Sequence, residues 1–171
     1  MLYEDEFSLS NTATLNYCWS ERGVQPKIWC KQRNRERQTV FGSYNYHTGQ
    51  MTISFKERGN ANTFKEHLKK VLYQYRENDK IIMVLDNVRY HHAKKISSWL
   101  EMNPKIELVF LSPYSPELNP IERAWWYMRK KITHNRLMNS MQDRKKAFWK
   151  MFSHYQKPNN ELLELVSLYR Y

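Results

Sequence analysis

Five consecutive apolar residues, Ile81-Ile82-Met83-Val84-Leu85, end on an aspartate, Asp86. A run this short and without alternation is a strand covered on both faces. Such a strand needs helices above and below it, so this segment argues for an α/β sheet. The rest of the chain agrees. Leu2 to Phe7 alternates, with Tyr3, Asp5 and Phe7 on one face and Leu2, Glu4 and Glu6 on the other. Residues 8–36 read as an irregular insertion. Two β-rich runs, 38–45 and 50–55, are joined through His47-Thr48-Gly49 as a hairpin. Thr63-x-x-Glu66 has the capping-box pattern of a helix start, and Phe64, Leu68, Val71, Leu72 and Tyr75 keep helical spacing behind it. A helix over about 91–102, a strand over 106–111, a prolyl loop at 112–120 and helices over about 120–133, 141–155 and 160–169 complete the pattern. The order predicts a mixed α/β fold, antiparallel in its first half, with parallel strands joined by helices after it. At 171 residues the chain suits one domain, and it shows no repeat and no linker.

Composition narrows the function classes. The four glycines (Gly23, Gly42, Gly49 and Gly59) form neither a dinucleotide fingerprint nor a phosphate-binding P-loop. The two cysteines, Cys18 and Cys30, lack zinc-ligand spacing and read as free thiols of a reducing compartment. No apolar run approaches the ~20 residues of a membrane span, and the first residues do not read as a signal peptide. The expectation is a soluble, cytoplasmic protein, nucleoid-associated in a prokaryote. Lys and Arg number 28 against 17 Asp and Glu, a net charge of +11, and that excess points to a polyanion partner such as nucleic acid.

Three carboxylates stand where a core would not choose them. Asp5 shares its strand face with Tyr3 and Phe7, Asp86 closes the most apolar strand, and Glu122 opens a helix after the prolyl loop. Ligands of α/β sheets bind beyond the carboxyl ends of strands, where Asp86 lies. Each has an ordinary reading as well. Asp after a strand can form a turn, and Asn119-Pro120-Ile121-Glu122 is also how many helices begin, with Asn as cap, Pro at N1 and an acid at N3. Brought together, the three would repel unless a cation neutralised them. An all-oxygen set selects Mg²⁺ or Mn²⁺, and two such ions ~4 Å apart suit phosphodiester chemistry.

The residues also carry a resemblance. Leu85-Asp86-Asn87-x-x-x-His91 followed by Ser112-Pro-Tyr-Ser-Pro-Glu-Leu-Asn-Pro-Ile-Glu122-x-x-Trp125 closely resembles the catalytic domain of mariner-type DDE transposases, in particular the bacterial insertion-sequence branch of DDE superfamily endonucleases. Tyr3-Glu4-Asp5-Glu6-Phe7 is similar to that family's first acidic strand, and Trp19-Ser20-Glu21-Arg22-Gly23 to its tryptophan-and-glycine segment. The resemblance covers about residues 1–136. It implies a ribonuclease-H-like mixed sheet with flanking helices and an acidic triad of Asp5, Asp86 and Glu122 that holds two Mg²⁺ or Mn²⁺ ions. It further implies cleavage at transposon ends and transfer of the 3′-hydroxyl into target DNA, with double-stranded DNA as partner and a homodimer as the full-length assembly. Family members place a helix-turn-helix reader before this domain. Here the chain starts two residues before Tyr3, so that reader is expected to be absent, and a catalytically idle DNA-binding or assembly fragment is the competing reading.

The expected DNA contacts are Arg22, Lys31, Arg33, Arg35, Asn87, His91, Asn119, Arg123, Arg129 and Lys130. Arg136, Arg144, Lys145 and Lys146 would extend the basic surface. Asn87 and His91 read equally well as helix-start chemistry. His92 is expected to face solvent, Trp125 to lie in the core, and Trp126 to be partly buried, though placed where it could stack on a base.

Overall fold

The computed structural model describes all residues except 13, 28–35, 114, 137, 139 and 168–171. The chain opens with β1 (Leu2–Ser10), continues into β2 (Arg37–Asn45) and β3 (Met51–Lys56), and then forms helix α1 (Ala61–Gln74). β4 (Ile81–Leu85), α2 (Lys94–Glu101) and β5 (Ile106–Phe110) follow. The chain then runs through α3 (Ile121–Ile132), α4 (Met141–His154) and α5 (Asn160–Ser167). Short 3₁₀ turns at Arg89–His92 and Pro116–Leu118 precede α2 and α3.

The strands form one sheet in the order β3-β2-β1-β4-β5. β1, β2 and β3 pair antiparallel, whereas β4 runs parallel to both β1 and β5. The antiparallel-then-parallel organisation expected from the sequence is the one observed. The alternation of β1 splits its side chains between two cores. Phe7 and Leu9 pack with Trp125 of α3, Phe148 and Phe152 of α4 and Leu162 of α5. Leu2 packs on the opposite face with Phe64 and Leu68 of α1 and Ile96 and Trp99 of α2. β4 supplies Met83 and Leu85 to that second core.

Three helix starts differ from expectation. The cap of α1 is Asn60, three residues before the expected Thr63: its side chain accepts from the Asn62 and Thr63 amides, and Thr63 Oγ1 accepts from the Asn60 amide. Asn outranks Thr as a cap, and a Thr at N3 serves the reciprocal bond as well as a Glu would. At α3 the N-cap is Pro120 without a side-chain cap bond. Asn119, expected to cap it, sends its Nδ2 to the Glu4 carbonyl 2.9 Å away, a bond between the prolyl loop and β1. The expected helix at 91–102 is a 3₁₀ turn followed by α2, which starts at Lys94.

Candidate active site

β4 continues β1 in parallel register, with Leu2 beside Met83 and Tyr3 beside Val84. The same offset carried two residues further sets Asp5 beside Asp86, just past the end of β4. On its other side Asp5 is paired with Gly42 of β2. That glycine has a packing role. A Cβ there would lie 2.3 Å from the Trp125 indole, so its absence lets the ring lie against the sheet. Trp125 is fully buried, and its ring centroid lies 4.8 Å from that of Phe7. Glu122 sits three residues earlier on α3, one turn back on the same side of the helix. Seating Trp125 over Gly42 therefore delivers Glu122 to the sheet end where Asp5 lies, and the Asn119 bond to Glu4 holds the loop there.

Asp5, Asp86 and Glu122 line one open cleft of about 410 Å³, with Asn87, Ser112, Ser115 and Asn119 among its other walls. Asp86 and Glu122 side chains are 46% and 42% exposed. The electrostatics register their proximity. Burial raises the Asp5 pKa to about 8, and the charges of Glu122, Glu6 and Asp86 push the same way. A carboxyl whose charged form is opposed first by burial and then by neighbouring carboxylates marks a place where a cation would be welcome.

Asp86 behaves oppositely. A hydrogen bond from His91 lowers its pKa. The Val88 amide also donates to Asp86 Oδ1, at 3.2 Å. His91 Nδ1 lies 3.4 Å from that oxygen, while Nε2 lies 3.1 Å from Glu6 Oε1 on the neighbouring strand. Burial pulls the His91 pKa down, but the bonds to Asp86 and Glu6 outweigh it and carry the value up to about 9. Glu4 is fully buried beside this network, with both carboxyl oxygens lacking hydrogen-bond partners. Burial, then the charges of Glu6, Asp5 and Asp86, push its pKa well up. Ligand atoms of Glu4, Glu6 and His91 all lie within 4.8 Å of one another.

The expected DNA contacts divide. His91 and Asn119 are buried, 2% and 4% exposed: His91 turns its ring nitrogens to Glu6 and Asp86, and Asn119, at the cleft wall, sends its amide to the Glu4 carbonyl. Arg144, expected on the basic surface, is likewise buried and donates to the carbonyls of Thr12 and Arg136. Arg123 is half-buried, with Nη1 3.3 Å from the Val166 carbonyl of α5. Asn87 is exposed on the cleft wall, and its side chain donates to the Leu111 carbonyl, tying together the loops that follow β4 and β5. Arg129 extends back along α3 to within 3.9 Å of Glu122, and Lys130 lies 4.9 Å over the exposed Trp126 ring. Arg22 is exposed. Lys31, Arg33 and Arg35 lie outside the described residues, as does Cys30; Cys18 is exposed and free. His92 is exposed and stacks on Phe110 at 4.2 Å, and Trp126 is 50% exposed, more open than expected. Sequence reasoning missed Gly42 and Glu6 as parts of this site. The Asp5-to-Phe7 alternation placed Glu6 on the far face but could not show that His91 bridges it to Asp86.

Residues 1–145 match the family model of the DDE superfamily endonuclease. The chain belongs to that family. It is 28% identical over 141 residues to an uncharacterized 39 kDa protein of insertion element IS630 from Shigella sonnei, covering 82% of this chain and 41% of that protein. It is 33% identical over 79 residues to the uncharacterized protein y4pE/y4sA from Sinorhizobium fredii, 46% of this chain and 56% of the relative. Among solved structures, the Mos1 transposase paired-end complex with left transposon end superposes with a TM-score of 0.69 at 17% identity, over 97% of this chain and 53% of that one. The catalytic domain of Mos1 mariner transposase gives 0.59 at 18% identity, over 97% and 78%. The likeness shows the fold, a ribonuclease-H-like sheet with helices on both faces. The chain spans about half the length of the curated relatives it matches. No helix among the described residues is long and apolar enough to cross a membrane.

Proposed function

We propose that this chain is the divalent-metal-dependent catalytic domain of a DNA transposase, cutting phosphodiester bonds at transposon ends and joining the freed 3′-hydroxyl to target DNA. The observation that carries the reading is the convergence of Asp5, Asp86 and Glu122 on one cleft at the sheet end, with Asp5 held protonated by burial and the other carboxylates. An all-carboxylate set fits Mg²⁺ or Mn²⁺. A neighbouring structure is described as the Mos1 mariner paired end complex with Mn, which supports the same metal class here. Asp5, Asp86 and Glu122 would hold the metal, two ions in the family's pattern. The chemistry such cations would supply there is activation of an attacking oxygen and stabilisation of the departing one of a phosphodiester.

The protein's own groups do the rest. Asp86 enters ionised, because His91 and the Val88 amide favour its charged form. Asp5 would be the carboxyl whose charge a bound cation offsets, since burial and the neighbouring carboxylates oppose it. Glu122 arrives on a helix fixed through Trp125, and Arg129 beside it balances charge at the mouth of the cleft. Double-stranded DNA is the partner the +11 charge favours, with Arg22, Asn87, Arg129, Lys130 and the stretch holding Lys31, Arg33 and Arg35 as proposed contacts. The exposed Trp126 face offers a stacking platform beside them. Homodimerisation on DNA belongs to the same proposal.

The test is nicking of supercoiled plasmid with Mg²⁺, Mn²⁺ or EDTA. Metal-dependent nicking that is lost in Asp5→Asn, Asp86→Asn and Glu122→Gln supports the reading. A protein that only retards the plasmid, with or without metal, is an idle binding fragment and overturns it.

A further inference from the structure

Asp86 lies beyond the last residue of β4, nearly half exposed, and its carboxylate is held by its neighbours. Its framing comes from behind the sheet. The Val88 amide donates to Oδ1 at 3.2 Å, and His91 Nδ1 lies 3.4 Å from the same oxygen. Nδ1 also lies 3.3 Å from the Asp86 carbonyl. The imidazole itself is fixed on every side. Nε2 meets Glu6 Oε1 at 3.1 Å, the same oxygen accepts from the Tyr90 hydroxyl, and the ring packs on Phe64 with centroids 4.2 Å apart. Neither His91 nor Glu6 lines the cleft.

We infer that His91 is a positioning residue: braced by Glu6 of β1, it sets the orientation of the Asp86 carboxylate toward Asp5 and Glu122. The inference rests on the metal-site reading above and deepens it. Outer partners that orient a ligating side chain are worth about 10–100-fold in metal affinity or activity. A residue that merely filled the core would affect stability and leave metal affinity alone.

Two measurements on the full chain test it. In the wild-type protein with ¹⁵N-labelled histidine, Mg²⁺ titration should move the His91 Nδ1 resonance, because the carboxylate 3.4 Å from it becomes a ligand. His67, buried between the Ser43 and Ser54 hydroxyls, should stay still and serves as reference. A His91 signal as static as that of His67 overturns the inference. The second measurement is Mn²⁺ affinity by electron paramagnetic resonance for Asp86→Asn, His91→Asn and His91→Gln. An asparagine amide reaches the position of Nδ1 and keeps the donor to Asp86; a glutamine amide reaches that of Nε2 and keeps only the bond to Glu6. The expected result is weak binding by Asp86→Asn, a loss of about 10–100-fold in His91→Gln, and a smaller loss in His91→Asn. If Asp86→Asn binds weakly but the two His91 variants are alike, the positioning role fails and the metal site stands. If Asp86→Asn binds as wild type does, the metal-site reading fails and takes the inference with it.

Discussion

Asp5 is the residue on which the chemistry of the cleft turns, and its environment gives it a distinctive pH signature. Its folded pKa, raised to about 8, lies far above the 3.8 of an unperturbed aspartate. The folded state therefore binds more protons than the unfolded state between these values, and stability falls as pH rises through that window. Replacing Asp5 by Asn removes the charge that burial opposes. The melting temperature of Asp5→Asn relative to wild type, both metal-free, should climb from pH 5 to pH 8, and a flat difference would contradict the assigned environment. Mg²⁺ or Mn²⁺ should stabilise the wild type by mass action, more at pH 8 than at pH 6, because protons and cations compete for Asp5. Asp86→Ala should lose most of that gain, which thermal shift with and without metal reads directly. At this scale Asp86 stood out at the end of an apolar strand and Asp5 by sharing its strand face with Tyr3 and Phe7, whereas Glu122, an ordinary helix-start acid taken alone, was singled out by the motif around it. His91 and Asn119 were not legible as inward-facing groups. Nothing in a linear string shows that a polar side chain near a cleft turns back into the sheet to satisfy a strand.

The elements were legible where hydrophobic periodicity is strong. The apolar β4 and the amphipathic α3 stand within a residue or two of where the pattern puts them, whereas β1 continues to Ser10, three residues into the stretch read as an irregular insertion. The α1 cap is Asn60 because its side chain accepts from the first-turn amides while Thr63, at N3, returns the bond to the Asn60 amide. The contact between Gly42 and Trp125 escaped the sequence altogether, since residues 83 positions apart carry no mutual signature. It makes a sharp prediction for α3. Gly42→Ala places a methyl group 2.3 Å from a fully buried indole that cannot move without shifting its helix. The cost in stability should be about 1–3 kcal/mol, the range for overpacking a core. Because Glu122 rides on the same helix, Mn²⁺ affinity should fall as well, even at temperatures where the variant is fully folded. Urea denaturation paired with a Mn²⁺ titration checks both. A variant as stable as wild type with unchanged affinity would mean that Trp125 does not set the position of Glu122.

At the scale of the whole molecule, the charge is divided by sign and by place. At and behind the cleft, burial and then the charges of Glu122, Glu6 and Asp86 raise the Asp5 pKa, and burial and then those of Glu6, Asp5 and Asp86 raise that of Glu4, while the excess of cations gives the chain its net +11. Binding to duplex DNA should weaken steeply with salt, with a log–log slope of about −0.9 for each phosphate neutralised. Lys130→Ala should make that slope shallower by about one, and fluorescence anisotropy at several salt concentrations reads both. A wild-type slope near zero would contradict an electrostatic DNA surface. The central claim is narrower: Asp5, Asp86 and Glu122 form one divalent-cation site. Anomalous diffraction from crystals soaked in Mn²⁺ tests it most directly. The predicted result is Mn²⁺ in the cleft, ligated by Asp5 and Asp86 with Glu122 at its edge. Mn²⁺ bound instead among Glu4, Glu6 and His91, or a cleft that stays empty while the metal binds elsewhere, would contradict the account.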